Sequence, residues 1–197
     1  MTPHKRCLCY CTIPALLLAV LVLVMAPQNH LRAETLGGDF TLTDHNNQTY
    51  HLSHSRGKVV AMVFGYTTCP DVCPMALSEM SALLNGLEEQ ASEVQALFIS
   101  VDPERDSLAK LSAYVPWFHP NILGLTGTLP AIEAVARQYH AHFTLHKSSP
   151  TDTGYTVDHN ANLFLIDRKG SLAQIIPFGL PVSHKHQAIT RLLAAPE

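Results

Sequence analysis

The chain has 197 residues, room for one ordinary domain and an appendage, and its 47% hydrophobic and 15% charged residues set it apart from disordered and fibrous proteins. The formal net charge of -3 is unevenly spread: the first 33 residues carry Lys5, Arg6 and Arg32 and no acid, leaving 16 acidic against 10 basic residues in the rest. A mildly acidic body gives no support to nucleic-acid binding, which calls for a basic face.

At the amino terminus His4, Lys5 and Arg6 precede a charge-free apolar run, Cys7 to Ala26, about as long as a helix needs to cross roughly 30 Å of hydrocarbon. Nothing on it is polar enough to face water, so a buried core helix is the weaker reading. Basic residues before such a run keep that end in the cytoplasm and send the remainder across. A cleaved signal peptide competes, with a cut after Ala33 available, but Pro27 after Ala26 is poor cleavage chemistry. The expectation is a cytoplasmic stub and transmembrane anchor over residues 1–33. A domain over 34–197 then lies in the periplasm or an equivalent extracytoplasmic space. Cys7, Cys9 and Cys11 sit at the cytoplasmic edge of the run and read as small apolar filler rather than as lipidation or metal sites.

Beyond residue 38 the pattern alternates between strand and helix. "DFTLTD" and "QTYHL" predict a hairpin turning at "HNN". "KVVAMVFGY", Lys58 to Tyr66, is an apolar run rich in β-branched residues, the signature of a strand covered on both faces. "CPMALSEMSALLNGLEE" repeats apolar residues at helical spacing through Met75, Met80, Leu83, Leu84 and Leu87. A strand over "VQALFISVD", a helix over "DSLAKLSAYV" and a short strand over "NILGLTG" follow. In "TLPAIEAVARQYH" Thr128 is a helix cap and Pro130 lies in the first turn. After "HFTLHK" a polar loop, Ser148 to Tyr155, leads into "TVDH". "NLFLIDRKGSLAQIIPF" predicts a hairpin turning at Arg168 to Gly170, and Ser183 to Leu193 a closing helix. These elements predict a three-layer α/β domain with a mixed central sheet and an added N-terminal hairpin.

The chemistry concentrates in "FGYTTCPDVCPMALSEM". Cys69 and Cys73 sit where the central strand runs into a helix, with Pro70 and Pro74 suited to a helix start. Backbone amides and the positive end of the helix dipole are expected to stabilise a thiolate there, lowering its pKa. Two thiols at this spacing serve a redox disulfide, a structural crosslink, a peroxide-reducing centre or a metal clamp. A four-residue helical step separates α-carbons by about 6 Å, within bridging range, and an oxidising compartment favours closing the pair. Peroxide reduction is the weakest reading: Tyr66 stands where a peroxiredoxin-like site would have threonine, and no arginine is placed to polarise a peroxide.

"FGYTTCPDVCPMALSEM", "ISVDPERDSLAKLSAYV" and "VDHNANLFLIDRKG", in this order, resemble the Sco/SenC family, the thioredoxin-fold proteins of cytochrome c oxidase assembly. The resemblance covers Gly38 to Leu193. It implies a thioredoxin-like fold, a membrane anchor, and copper, Cu(I) or Cu(II), bound at the positions of Cys69, Cys73 and His159. Thr68 departs from it, since a larger side chain is expected there, and touches only outer contacts. The implied partners are the copper-centre subunit of cytochrome c oxidase and other copper carriers or thiol reductants. Delivery of copper to the binuclear centre is the leading function, with no covalent turnover. The alternative is an extracytoplasmic thiol:disulfide oxidoreductase that keeps the oxidase cysteines reduced.

Independently of the resemblance, two thiolates suit Cu(I), and one imidazole completes a trigonal set that Cu(II) also accepts. A structural zinc site would want four protein ligands. Among twelve histidines, His159 stands out by its place just before an apolar strand; the polar loop Ser148 to Tyr155 is expected to be mobile, so that the ring engages the thiols only once metal arrives. His140, His142 and His146 form a looser group whose spacing fits no tight site, and His184 and His186 read as surface residues. Asp71 and Asp158, beside the candidate ligands, read equally as capping or turn carboxylates and as groups that orient the ligands. Asp102 ends a strand at the same sheet edge. None of the three is read as a ligand.

Overall fold

The computed structural model describes residues 36–149, 151 and 154–196. At its centre is β3 (Val59–Gly65), every residue of which is buried. Alternate side chains serve opposite faces: Val60, Met62 and Phe64 join one core cluster, while Val59, Ala61 and Val63 join the other. An uninterrupted apolar run is therefore what this position requires, because neither face meets water.

Around it the strands β1 (Thr41–Asp44), β2 (Thr49–His51), β4 (Val94–Ser100), β5 (Ile122–Thr126), β8 (Leu163–Ile166) and β9 (Leu172–Ile176) complete a seven-stranded sheet ordered β2-β1-β5-β4-β3-β8-β9. The pairs β3/β4 and β4/β5 are parallel, and β1, β2, β8 and β9 join antiparallel, so the sheet is mixed as expected. Helices α1 (Val72–Gly86), α2 (Leu108–Phe118) and α4 (Val182–Ala194) bury Leu77, Met80, Leu111, Val115 and Ile189 against one face. Helix α3 (Leu129–Gln138) buries Ile132, Val135 and Ala136 against the other. Three layers result, α on sheet on α. On the α3 side Phe64, Phe164 and Tyr139 meet edge to face, with centroids 5.5 and 6.4 Å apart, and the Tyr139 hydroxyl donates to the Gly38 carbonyl at 2.7 Å.

The local signals mostly resolve as expected. In the β1–β2 hairpin Asn47 takes a left-handed φ of 62°, and Asp44 Oδ1 accepts from the amides of Asn46 and Gln48. Thr128 caps α3, accepting from the Ala131 amide.

Three details differ. The buried stripe of α1 runs through Cys73, Ala76, Leu77, Met80, Leu83 and Leu84, so its phase is set by Cys73, and Met75 falls off it, 43% exposed. That helix ends at Gly86 rather than Glu89; Glu88 turns to a φ of 50° and a 3-10 segment follows over Glu88–Glu93. Helix α2 continues past Pro116, which falls in its last turn.

"HFTLHK" carried no assignment in the sequence, yet β6 (Phe143–His146) pairs antiparallel with β7 (Thr156–His159) in a separate two-stranded ribbon. Among the described residues no helix is long and apolar enough to cross a membrane. The expected anchor, with Cys7, Cys9 and Cys11, lies outside them.

Phe164 is fully buried and central to the aromatic stack. Phe164→Ala is expected to cost about 3–5 kcal/mol, lowering the thermal midpoint by roughly 10 °C. A midpoint within a degree or two of the wild type would show that the stack does not hold the two layers together.

Candidate metal centre

The turn between β3 and α1 brings the thiols together. The Cys69 amide donates to the Tyr66 carbonyl at 3.3 Å, and the Tyr66 amide donates to Cys73 Sγ at 3.4 Å, so the backbone leaving the strand grips the second sulfur directly. Cys73 lies in the first turn of α1 and is 2% exposed; Cys69, in the turn before it, is 8% exposed. Both are free thiols. The turn is tied from behind by buried Asp106, which accepts from the Thr67 amide at 2.9 Å, the Thr67 hydroxyl at 2.5 Å and the Ser100 hydroxyl at 2.7 Å.

His159 arrives from the last position of β7, opposite Phe143 in the ribbon. Its Nδ1 faces the Asn160 carbonyl at 3.4 Å, and its Nε2 lies 3.2 Å from Cys73 Sγ. A proton on Nδ1, donated to that carbonyl, leaves the Nε2 lone pair turned toward the sulfur. The edge of the ring meets Tyr66, centroids 5.5 Å apart at 81°. Together, one donor atom from each of Cys69, Cys73 and His159 lies within 4.8 Å of the others. The ring thus stands at the thiols.

Burial decides the protonation of the pair. It pushes the Cys73 thiol well above the ordinary thiol range, with the neighbouring Cys69 and Asp106 adding to the rise and the Tyr66 amide opposing it. Burial likewise lowers the His159 pKa, against the backbone carbonyls of Asn160 and Phe64 and the charge of Asp158. Tyr66 is raised to about 12, first by burial and then by the two cysteines. For Cys73 the expected lowering by the helix amino terminus is therefore corrected: removal from water outweighs the dipole. Both shifts favour the uncharged forms of the Cys73 thiol and the His159 imidazole.

The aspartates separate. Asp71 stands at the helix start, exposed, and its side chain makes no capping bond. Asp158 is exposed on the opposite face of β7 from its neighbour and holds His146 at 2.7 Å. Asp102 is fully buried at the end of β4 against Arg105 and Tyr155. His140 and His142 are exposed, as is His184; half-buried His186 reaches the Gly86 carbonyl at 3.2 Å. None of these belongs to the three-residue group.

Gly65, Tyr66 and Asp106 escaped the sequence reading. Glycine ending a strand of otherwise larger apolar residues was a usable signal, because it marks close approach. A Cβ at Gly65 would stand 2.7 Å from Phe98 and 2.8 Å from Cys73 Sγ. The donor set fits a soft, low-coordination ion: two sulfurs and one nitrogen converge, with a fourth protein ligand lacking among the described residues.

A family model described as SCO1/SenC matches residues 28–194. The mitochondrial SCO2 homolog of Bos taurus is 39% identical over 143 residues, 71% of this chain and 53% of that protein. Mitochondrial SCO2 of Saccharomyces cerevisiae is 37% identical over 136 residues, 68% of this chain and 45% of that protein. The chain thus spans about half the length of these curated relatives. Among solved structures, Bradyrhizobium japonicum ScoI with copper bound is 36% identical, with a TM-score of 0.72 over 80% of this chain and 99% of that one. Yeast Sco1 with copper bound is 31% identical, with a TM-score of 0.75 over 83% and 91%. The likeness bears out the thioredoxin-like α/β fold with its mixed sheet.

Gly65→Ala is expected to displace the Cys73 sulfur at a stability cost of about 1–3 kcal/mol, with metal affinity falling disproportionately. Unchanged affinity would show that the sulfur tolerates movement. In the reduced native chain, Cys73 is expected to alkylate at pH 8 more than about 10-fold slower than in denaturant, followed by peptide mass mapping. Equal rates in both states would contradict the buried, protonated thiol.

Proposed function

The chain belongs to the SCO1/SenC family, and from that membership and the geometry of its thiol pair we propose that it binds copper through Cys69, Cys73 and His159 and serves assembly of the binuclear copper centre of cytochrome c oxidase. The observation that carries this reading is the convergence of two sulfurs and one imidazole nitrogen within 4.8 Å. Two solved relatives above 30% identity hold copper.

Copper is cargo here. Capture replaces the thiol protons of Cys69 and Cys73, which pass to water, while the neutral His159 supplies a lone pair without losing a proton. Release runs the other way: thiolates of the copper-centre subunit take the ion by ligand exchange, and the two cysteines regain protons. No carbon bond forms or breaks, so the chain acts as a carrier rather than an enzyme. Anchoring by residues 1–33, with the domain over 34–197 on the extracytoplasmic side, keeps the site beside a membrane-bound oxidase. Exchange with other copper carriers or thiol reductants fits the same open mouth, since Thr68, Pro70 and Asp71 at the turn are exposed.

The thiol:disulfide alternative uses the same two sulfurs but leaves His159 without a role. The reduced full-length chain, titrated with Cu(I) and Cu(II), is expected to bind one ion. Replacing Cys69, Cys73 or His159 singly by alanine should weaken binding, the cysteine variants by more than about 100-fold, beyond the loss of an outer contact. Disulfide reductase activity intact in His159→Ala, with copper affinity unaltered, would favour the redox reading instead.

A further inference from the structure

His159 is carried by a ribbon that is no part of the main sheet, so its place over Cys73 needs a support other than the sheet ladder. That support is a polar cluster at the loop end of the ribbon, opposite the end that carries His159. Tyr155, four residues before His159, is 4% exposed; its hydroxyl donates to Asp102 Oδ1 at 2.5 Å, and its carbonyl accepts from Arg105 Nη1 at 2.8 Å. Arg105 Nε donates to the other oxygen of the Asp102 carboxylate. The guanidinium carbon lies 3.9 Å from the Tyr155 ring centroid and 5.6 Å from that of Tyr66, the ring that backs His159. On the companion strand Lys147, just after β6, pairs with Glu104 and stands 4.6 Å from the Tyr155 ring. Both strands of the ribbon are thereby fastened, at the end away from His159, to residues 102–105 just beyond β4.

We infer that Arg105, acting with Asp102 and Tyr155, is a positioning residue for His159: it ties the ribbon to the sheet and braces Tyr66 behind the imidazole. The inference rests on the reading of His159 as a copper ligand. Only a guanidinium serves a carboxylate, a carbonyl and two aromatic faces at once, because its planar fork and delocalised charge suit all four. Among the described residues its Nη2 is buried without a hydrogen-bond partner, as befits a group held between rings. Asp102 is fully buried and its carboxylate is taken up by Arg105 and Tyr155.

The test compares Arg105→Met, Arg105→Lys, Tyr155→Phe and His159→Ala in the full-length chain. Because Arg105→Met strands a buried carboxylate, Asp102→Asn/Arg105→Met is made alongside it. One-to-one copper binding and thiolate charge-transfer absorption should persist in every variant that retains His159. Cu(II) affinity should fall about 10- to 100-fold in Arg105→Met, with the imidazole nitrogen coupling in the electron paramagnetic resonance spectrum lost or broadened. Arg105→Lys should fail to restore it. In the Arg105→Met/His159→Ala double variant the losses should not add, since both act through one ligand. Additive losses, or an unchanged nitrogen coupling in a folded Arg105 variant, would overturn the inference. If His159→Ala leaves copper binding intact, the ligand reading fails by itself. The positioning claim is then decided in the metal-free chain by nuclear Overhauser contacts between the Tyr66 and His159 rings. Their loss in the Arg105 variants supports it and their persistence overturns it.

Discussion

The sulfur of Cys73 is the point on which the local structure turns. It accepts from the amide of Tyr66 and faces Nε2 of His159. It also occupies space that any side chain at Gly65 would take. The central strand must therefore end in glycine, the turn must bring its backbone inward, and the first turn of α1 must point one side chain into the core. Each requirement is met by a residue whose alternatives are few. A thiol is small and apolar enough to be buried here without a strong partner, which a hydroxyl or carboxylate would demand.

Much of this was legible in the sequence because the determinants are local. The fully buried strand is written as an unbroken apolar run, and the capped helix as Thr128 followed by Pro130. The hairpins are marked by "HNN" and "DRKG". Cys69, Cys73 and the turn that presents them lie within one strand-to-helix connection. The ribbon was not legible. "FTLH" has half-exposed and exposed residues in alternation, a weak pattern for a strand whose stability comes from its partner ten residues downstream. Arg105 and Tyr155 meet across fifty positions, and nothing in "DPERD" or "GYTVDH" alone specifies that encounter. Met75 was misread for a different reason: helical periodicity gives the width of an apolar stripe but not its phase, which Cys73 sets.

The ribbon's geometry changes what the separation of the candidate ligands in sequence means. His159 is 86 positions from Cys73, yet its ring rests against the sulfur. Its place follows from contacts at both ends of the ribbon: Tyr66 at the imidazole, and Asp102 and Arg105 at Tyr155. The same β4 end also supplies Ser100, and just beyond it Asp106 holds the cysteine turn through Thr67. One short segment, residues 100–106, therefore braces the two halves of the site.

Burial at Cys73 works against a bare thiolate at that sulfur, and the nearby Asp106 carboxylate adds repulsion. Exchange begins with a free thiolate. Asp106 takes part in none of the ion pairs among the described residues. On the proposed reading an arriving soft cation would reverse the balance: it would supply the positive charge that the buried sulfur lacks, displace its proton, and meet the imidazole beside it. The environment that suppresses the bare thiolate is thus the one in which a metal thiolate gains most.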